Sequence, residues 1–412
     1  MTQNFFALVL LQGVNYLLPL ITFPFLIRML GVERWGLVGF GYTTMYYFVM
    51  LTDFGFNLSA TKYISIHKHE PDVVNCYLNS AFVCRFFLAI ACFLLLLLLT
   101  ASIHMFRQDA SFFICYFGIV VGNVMFPMWY FQGMEKMKYI TVFNIVSKTV
   151  SCLPFFIFIR KPEDYSLVPI FYSMGFIIAG FISIYIIYFR EKQKWFIPPF
   201  RKIKFAFTDS FTYFLSRISV SMYTYINTFV IGLACGNTAV GYYLAAEKLY
   251  QAYNNLLLPF TGVLFPHIAK THNVPFFKRV LKFIVPANIV LLSGIMLGSY
   301  WLIWFICGDP LQTETLGVFR ILMCASLVTI PSVLIGYPFL AAMGHARYTN
   351  WTLIGISFFH VAGLSLLYVY GSLSIYNVAI MVLLTESLVL AFRVGGIIKY
   401  KLFDETGNAI RH

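Results

Sequence analysis

Twelve times along the chain, about 20 mostly apolar residues run on before charges or turn residues interrupt them. The stretches lie near 5–30, 36–58, 77–101, 110–131, 139–159, 165–189, 207–233, 239–265, 283–306, 316–342, 349–371 and 374–398. Backbone polar groups in lipid must bond within the segment, which leaves helices or a closed barrel. Barrel strands alternate inward and outward residues over about ten positions. The unbroken leucines from Leu94 to Leu99 do not alternate, so the stretches read as helices. Composition agrees. Charged residues make up 11% of the chain and apolar residues 60%, against about 25% charged in an average soluble protein. So few charges cannot cover a water-facing surface of this size. An ordinary soluble enzyme, a disordered chain and a nucleic-acid-binding domain are excluded. The start, Met-Thr-Gln-Asn, has no basic region, and the first stretch is too long for a signal-peptide core, so it reads as a retained first helix.

Lysine and arginine in short loops set orientation. With the N-terminus inside, the inner loops and tail hold 18 of the 29 basic residues and the outer loops hold 4, namely Arg34, Arg107, Arg160 and Lys161. Both termini are therefore expected in the cytoplasm. The eight cysteines contain no CxxC pair, so they read as packing residues, with no metal site and no cofactor implied.

The longest polar loop, Arg190 to Lys204, follows the sixth stretch. It divides the chain into an N-terminal six-helix half (1–189), a basic cytoplasmic linker (190–206) and a C-terminal six-helix half (207–412). An even number of spans per half predicts parallel repeats about an axis along the membrane normal. The expected fold is thus an all-α integral membrane protein of twelve transmembrane helices in two six-helix bundles related by a pseudo-two-fold. Two internal echoes agree. Gly31-Val-Glu-Arg-Trp-Gly36 recurs as Gly236-Asn-Thr-Ala-Val-Gly241, and Gly133-Met-Glu-Lys136 as Gly344-His-Ala-Arg347. Two bundles facing a central cavity are a transporter architecture.

Ionisable residues inside spans are costly and mark function by default. The basic ones are Arg28, Arg85, Lys148, Arg217, Lys248, Arg320 and Arg393; the acidic ones are Asp53, Asp209, Glu247 and Glu386. Arg28, Asp209, Arg320 and Arg393 lie near span ends, where snorkelling explains them. The deeper ones face either a wet cavity or a structural partner. Helical spacing gathers polar stripes: Gln12, Asn15 and Thr22; Tyr42, Tyr46, Asp53 and Asn57; Thr141, Asn144, Lys148 and Ser151; Ser210, Tyr213, Arg217, Ser221, Thr224 and Thr228; and Tyr243, Glu247, Gln251 and Asn254. One stripe is readable as helix glue, whereas five suggest a hydrated lumen. Its excess of three positive charges suits an anionic ligand, since guanidinium forks match phosphate oxygens. The phosphate and sugar candidates are Arg28, Arg85, Lys148, Arg217, Lys248, Asn15, Tyr46 and Asn144. Asp53, Glu247 and Glu386 are candidates for ion coupling, because a carboxylate in a low-dielectric lumen can change its charge. No nucleotide-binding glycine loop, HExxH or nucleophile elbow occurs, so no catalytic residue is assigned and ATP is not the expected energy source.

Four segments carry a family resemblance: Asn15-Tyr-Leu-Leu-Pro-Leu-Ile-Thr-Phe-Pro-Phe-Leu-Ile-Arg-Met-Leu-Gly31, Thr52-Asp-Phe-Gly-Phe-Asn-Leu-Ser-Ala-Thr61, Trp129-Tyr-Phe-Gln-Gly-Met-Glu-Lys-Met-Lys138 and Leu384-Thr-Glu-Ser-Leu388. The chain resembles the Wzx family of O-antigen flippases, within the multidrug, oligosaccharidyl-lipid and polysaccharide exporters. The resemblance implies a protein of the bacterial inner membrane. It would carry undecaprenyl-diphosphate-linked O-antigen repeat units from the cytoplasmic to the periplasmic leaflet by alternating access, with ion coupling. It also implies membrane lipid, an O-antigen polymerase and a chain-length regulator as partners, and no nucleic acid. Arg28, Asp53 and Glu386 sit in matching motifs. Gln132, Gly133, Glu135 and Lys136 match too, in an expected cytoplasmic turn with a gate or folding role as well as substrate contact in view. Two other classes stand beside this one. A cation-coupled drug exporter wants an acidic cavity, against the positive excess here. A polysaccharide polymerase wants a sizeable external loop, and no outer loop exceeds about a dozen residues.

Overall fold

A computed structural model describes residues 2–308 and 312–403, except the side chains of residues 2–17, 19, 20, 215–224, 258 and 312. Every regular element among the described residues is helical, as an apolar chain that bonds its own backbone requires. The chain divides into two compact units, Met1–Ser221 and Met222–His412.

The first unit contains α1 (Thr2–Asp53), α2 (Phe56–Ile66), α3 (Pro71–Ser102), α4 (His104–Gln108), α5 (Ala110–Tyr116), α6 (Gly118–Met125), α7 (Met128–Gly133), α8 (Met137–Phe158) and α9 (Leu167–Tyr185). A π-helical turn, Ile186–Arg190, and an irregular strap over 191–199 then lead into α10 (Phe200–Cys235). The second unit continues α10 and adds α11 (Asn237–Asn255), α12 (Leu258–Thr271), α13 (Val274–Leu297), α14 (Ser299–Cys307), α15 (Gln312–Ile335), a π-helical segment Gly336–His345, α16 (Ala346–Val369) and α17 (Ile375–Lys399).

Seven stretches among the described residues are long and apolar enough to cross a membrane: Pro71–Ser102, Ala110–Gly133, Met137–Phe158, Pro162–Arg190, Val274–Leu297, Thr313–Val369 and Ile375–Lys399. The sixth of these covers the predicted span 316–342 and all but the last two residues of 349–371, joined through the π-helical segment. Large apolar side chains such as Phe87, Leu94, Phe181, Val290 and Leu297 are exposed on these helices, which is the surface lipid requires.

Several predicted spans are not single straight helices. Within α1 the backbone turns at Gly31 (φ 74, ψ 169), and between α10 and α11 it turns at Gly236 (φ 83, ψ 177). Only glycine adopts this region freely, so the two glycines of the first sequence echo make the same turn. In the second echo the matching glycines differ: Gly344 takes the left-handed position itself (φ 90), whereas in the first unit Glu135 does (φ 59). The second predicted span breaks at Phe54 and Gly55 (φ 44 and 81). Asn57 therefore belongs to α2 and leaves the stripe of Tyr42, Tyr46 and Asp53.

The motif around Trp129 is part of the first unit's core. Trp129, Tyr130 and Phe131 are completely buried beside Phe56, Tyr77 and Phe143. Gly133 lies against α2, where an added Cβ would come within 2.8 Å of Ile64. Thr61 Oγ1 donates to the Trp129 carbonyl at 3.4 Å. At the turn beyond, Lys68 pairs with Glu135 at 3.0 Å and Lys136 pairs with Glu191. Of the gate, folding and substrate-contact roles the sequence left open for this turn, these contacts fit folding. The second unit has its own core, in which Phe277 and Phe339 stack with centroids 4.0 Å apart.

Candidate functional site

The candidate residues separate by burial. In the first unit, Arg28 on α1 is exposed, while Tyr46 on α1 and Asn144 and Lys148 on α8 are half-buried. The α8 stripe divides: Thr141, Asn144 and Lys148 keep accessible surface, whereas Ser151, with Ser147, turns inward against α9. The approach of α9 is close because Gly175 has no side chain. A Cβ there would lie 2.1 Å from Ser151 Oγ and 2.3 Å from the Ser147 carbonyl oxygen. The α8 face is thus a rigid polar surface with a cation on it. The side chains of Asn15 and Arg217 lie outside the described residues, as do those of Ser221 and Thr224 on the α10 stripe.

Arg85 is different. It is 1% exposed on α3. Its Nε donates to the Thr52 carbonyl at 3.3 Å, and its terminal nitrogens donate to Val124 O at 3.5 Å, Asn123 O at 3.1 Å and Asn123 Oδ1 at 2.9 Å. These carbonyls end two helices. Thr52 precedes the break after α1, and Asn123 and Val124 close α6 before Phe126 and Pro127. Helix C-termini carry unpaired carbonyls and partial negative charge. One buried guanidinium therefore caps two helices at once, and Asp53 is close enough to attract it. Arg85 offers no face to a ligand here, and its charge is answered inside the unit.

Arg393 on α17 makes a similar brace, and snorkelling does not describe it. It is buried, and one terminal nitrogen donates to Ser332 O at 2.6 Å and Ser332 Oγ at 2.9 Å. Arg320 fits the snorkelling reading better: it is exposed, and its Nε donates to Ser299 Oγ at 3.1 Å. Asp209 stays half-buried and accepts from the Tyr77 hydroxyl at 3.4 Å.

In the second unit the polar residues gather rather than line a single face. Glu247 on α11 is 8% exposed and accepts from Thr228 Oγ1 at 3.2 Å. Lys248 beside it is half-buried and close enough to attract it. The Tyr250 hydroxyl lies 3.2 Å from Thr329 Oγ1 and interacts electrostatically with Glu386, which is half-buried on α17. The residue before Glu386, Thr385, touches His360 on α16, and His360 touches Asn227 on α10. The sequence reading named Glu247, Lys248 and Glu386 but passed over His360 and Asn227. A lone histidine in an apolar helix makes no stripe, and its partners lie 25 and 133 residues away in the chain.

The described residues contain no cluster of histidine, cysteine or acid able to hold a metal. The first unit also carries an apolar cavity of about 660 Å³ between α3, the end of α6, the π-helical turn after α9 and the strap, lined by Phe82, Phe86, Val124, Tyr188 and Trp195 among others.

With this geometry in hand, comparison with known proteins decides the family. The model of the polysaccharide biosynthesis protein family matches residues 1–272, about two thirds of the chain. The chain belongs to the polysaccharide biosynthesis protein family. Two relatives carry O-antigen transporter in their names. One, from Escherichia coli strain K12, is 31% identical over 269 residues, which is 65% of this chain and 65% of the relative. The alignment thus spans just under two thirds of that protein. The other, from Shigella dysenteriae, is 25% identical over 409 residues, covering 95% of this chain and 98% of the relative. These matches bear out the resemblance read from the motifs.

Two solved structures show that this member of the family shares a known fold. One is a lipid II flippase, MurJ, in an inward closed conformation (TM-score 0.69, 13% identity, 95% of this chain and 87% of that one). The other is an inward-facing multidrug resistance MATE family transporter of the MOP superfamily (TM-score 0.67, 11% identity, 94% and 99%). At such identities the likeness concerns the fold alone.

Proposed function

We propose that this chain is a lipid-linked oligosaccharide flippase of the bacterial inner membrane. It moves undecaprenyl-diphosphate-linked O-antigen repeat units from the cytoplasmic to the periplasmic leaflet by alternating access. The observation that carries this is the Shigella alignment, which runs nearly end to end between two chains and joins this one to a protein named for O-antigen transport. The family match and the multi-pass helical fold support it.

In this reading the chain crosses the membrane twelve times in two six-helix halves, with both termini in the cytoplasm. The diphosphate binds Arg28 and Lys148, which keep accessible surface; Lys248 and Arg217 are further candidates for it. Tyr46, Asn144 and Asn15 meet the sugars. Arg85 holds the first unit's helices together. An interior-negative potential favours outward movement of an anion by about 2.3 kcal/mol per charge per 100 mV. Ion coupling through Asp53, Glu247 or Glu386 supplies further drive. No catalytic residue has a role, and the O-antigen polymerase and chain-length regulator act on the delivered product.

A deletion strain tests this. Loss of the gene should abolish surface O-antigen and leave complete lipid-linked repeat units on the cytoplasmic side. Normal O-antigen display in that strain, with no other transporter compensating, would refute the assignment.

A further inference from the structure

His360 stands in the second unit with both ring nitrogens occupied. It is fully buried on α16. Its Nε2 lies 2.8 Å from Asn227 Oδ1 and its Nδ1 lies 2.7 Å from Thr385 Oγ1. Thr385 has one hydroxyl proton, and it is donated to the Met381 carbonyl at 2.6 Å. Toward the ring, then, Thr385 presents a lone pair, as does the carbonyl oxygen of Asn227. With the amide and hydroxyl turned this way, the cage suits a ring that donates from both nitrogens. A ring that donates from both carries two protons and a positive charge.

The same cage fits the neutral ring after one small rotation. The Asn227 amide can turn over to present its NH₂ group, or the Thr385 hydroxyl can swing from Met381 to Nδ1. Neither move requires a helix to shift. Holding a charge away from water is costly, and two aligned acceptors offset part of that cost. A modest change in surroundings can therefore tip the balance.

Each wall of the cage adjoins a carboxylate. Thr228, next to Asn227, donates to Glu247, and Glu386 follows Thr385. The other ionisable groups among the described side chains of the neighbouring elements in this unit are Tyr242, Tyr243, Lys248, Tyr250 and Tyr253 on α11, Tyr225 and Cys235 on α10, Tyr376, Arg393 and Lys399 on α17, and Tyr337 and His345 on the π-helical segment. Arg393 is engaged with Ser332, Tyr337 with Asn350 and His345 with Tyr400.

We propose that His360, caged by Asn227 and Thr385, is a proton-binding site whose occupancy couples proton movement to transport. The coupling half of this statement rests on the flippase reading; the proton-binding half does not.

The test uses the purified full-length chain. Thermal unfolding is followed from pH 3 to pH 8 for the wild type, His360→Gln, Asn227→Asp and Thr385→Val. The wild type should show a titration step that His360→Gln lacks. Asn227→Asp puts a carboxylate against Nε2–H and should move the step up by at least one pH unit. Thr385→Val removes an acceptor and should move it down. Profiles for Asn227→Asp and Thr385→Val that keep the wild-type midpoint and only lose overall stability would overturn the proposal, and this holds even if His360→Gln does not fold. In vesicles with an imposed pH gradient, the wild type should move lipid-linked oligosaccharide several-fold faster than without it, and His360→Gln should not respond. Movement that ignores the gradient in the wild type overturns coupling. No movement at all sinks the flippase reading instead, and the stability titration still judges the site.

Discussion

Replacing Arg85 with alanine separates a structural charge from a ligand-binding one. The side chain is 1% exposed and its fork holds the Thr52, Asn123 and Val124 carbonyls. Asn123 O keeps a second donor, Phe126 N at 3.2 Å. Thr52 and Val124 have no such reserve in the helix pattern. The amide four residues after Thr52 opens α2, and the one four residues after Val124, Met128 N, bonds Phe126 O at 3.0 Å instead. Two orphaned buried carbonyls at about 1–3 kcal/mol each, plus the lost attraction to Asp53, give a loss of about 3–5 kcal/mol. For a unit of 221 residues that corresponds to a fall in Tm of roughly 10 °C. Arg85→Lys keeps the charge but loses the fork, so it should fall between the two. The assay is thermal unfolding of detergent-purified protein, with membrane abundance as a control. Refutation would be an Arg85→Ala protein that unfolds within a degree or two of wild type yet fails to display O-antigen, because Arg85 would then act on ligand and not on the helix ends.

Two further predictions follow from placement. Gly175→Ala puts a methyl 2.1 Å from Ser151 Oγ, so α8 and α9 must part; a loss of about 1–3 kcal/mol is expected, read as a lowered Tm and reduced abundance, and an unchanged Tm would contradict the close contact. Lys148→Ala removes a half-buried cation from the α8 face. It should lower Tm far less than Arg85→Ala does but cut transport roughly 10–100-fold, the worth of about 1.5–3 kcal/mol for a hydrogen bond to a charged group; full transport in Lys148→Ala would remove it from the phosphate site.

The helical class and the seven stretches long and apolar enough to cross a membrane were legible because lipid imposes a simple demand: about twenty apolar residues, repeated. The breaks were only partly legible. Gly31 and Gly236 advertise themselves, since glycine at a span end is a usual turn. The break at Phe54 and Gly55 lies inside an apolar stretch, and Asp53 and Asn57 on either side of it read as one continuous polar stripe. Charge was legible as charge and misleading as site. Arg85 and Lys148 look alike in a hydropathy plot, yet one is enclosed by carbonyls from α1 and α6 and the other keeps an accessible face. What separates them is which helices come close, and that information lies in residues such as Asn123 and Thr52, more than thirty positions away from Arg85. His360 shows the same limit from the other side. Its ring nitrogens meet Asn227 and Thr385, and no local pattern joins the three. The Trp129 motif was found as a signature, and the structure gives its physical content as a buried aromatic corner with two ion pairs at its turn.

The flippase reading is tested most directly by transport of the lipid itself. Purified protein would be reconstituted into vesicles carrying labelled undecaprenyl-diphosphate-linked repeat units, and an enzyme added outside would cleave whatever faces it. The account predicts that protein-containing vesicles expose the inner pool to cleavage, while protein-free vesicles and vesicles with Lys148→Ala keep most of it protected. An inner pool that stays protected with folded wild-type protein, under an imposed ion gradient and potential, would contradict it.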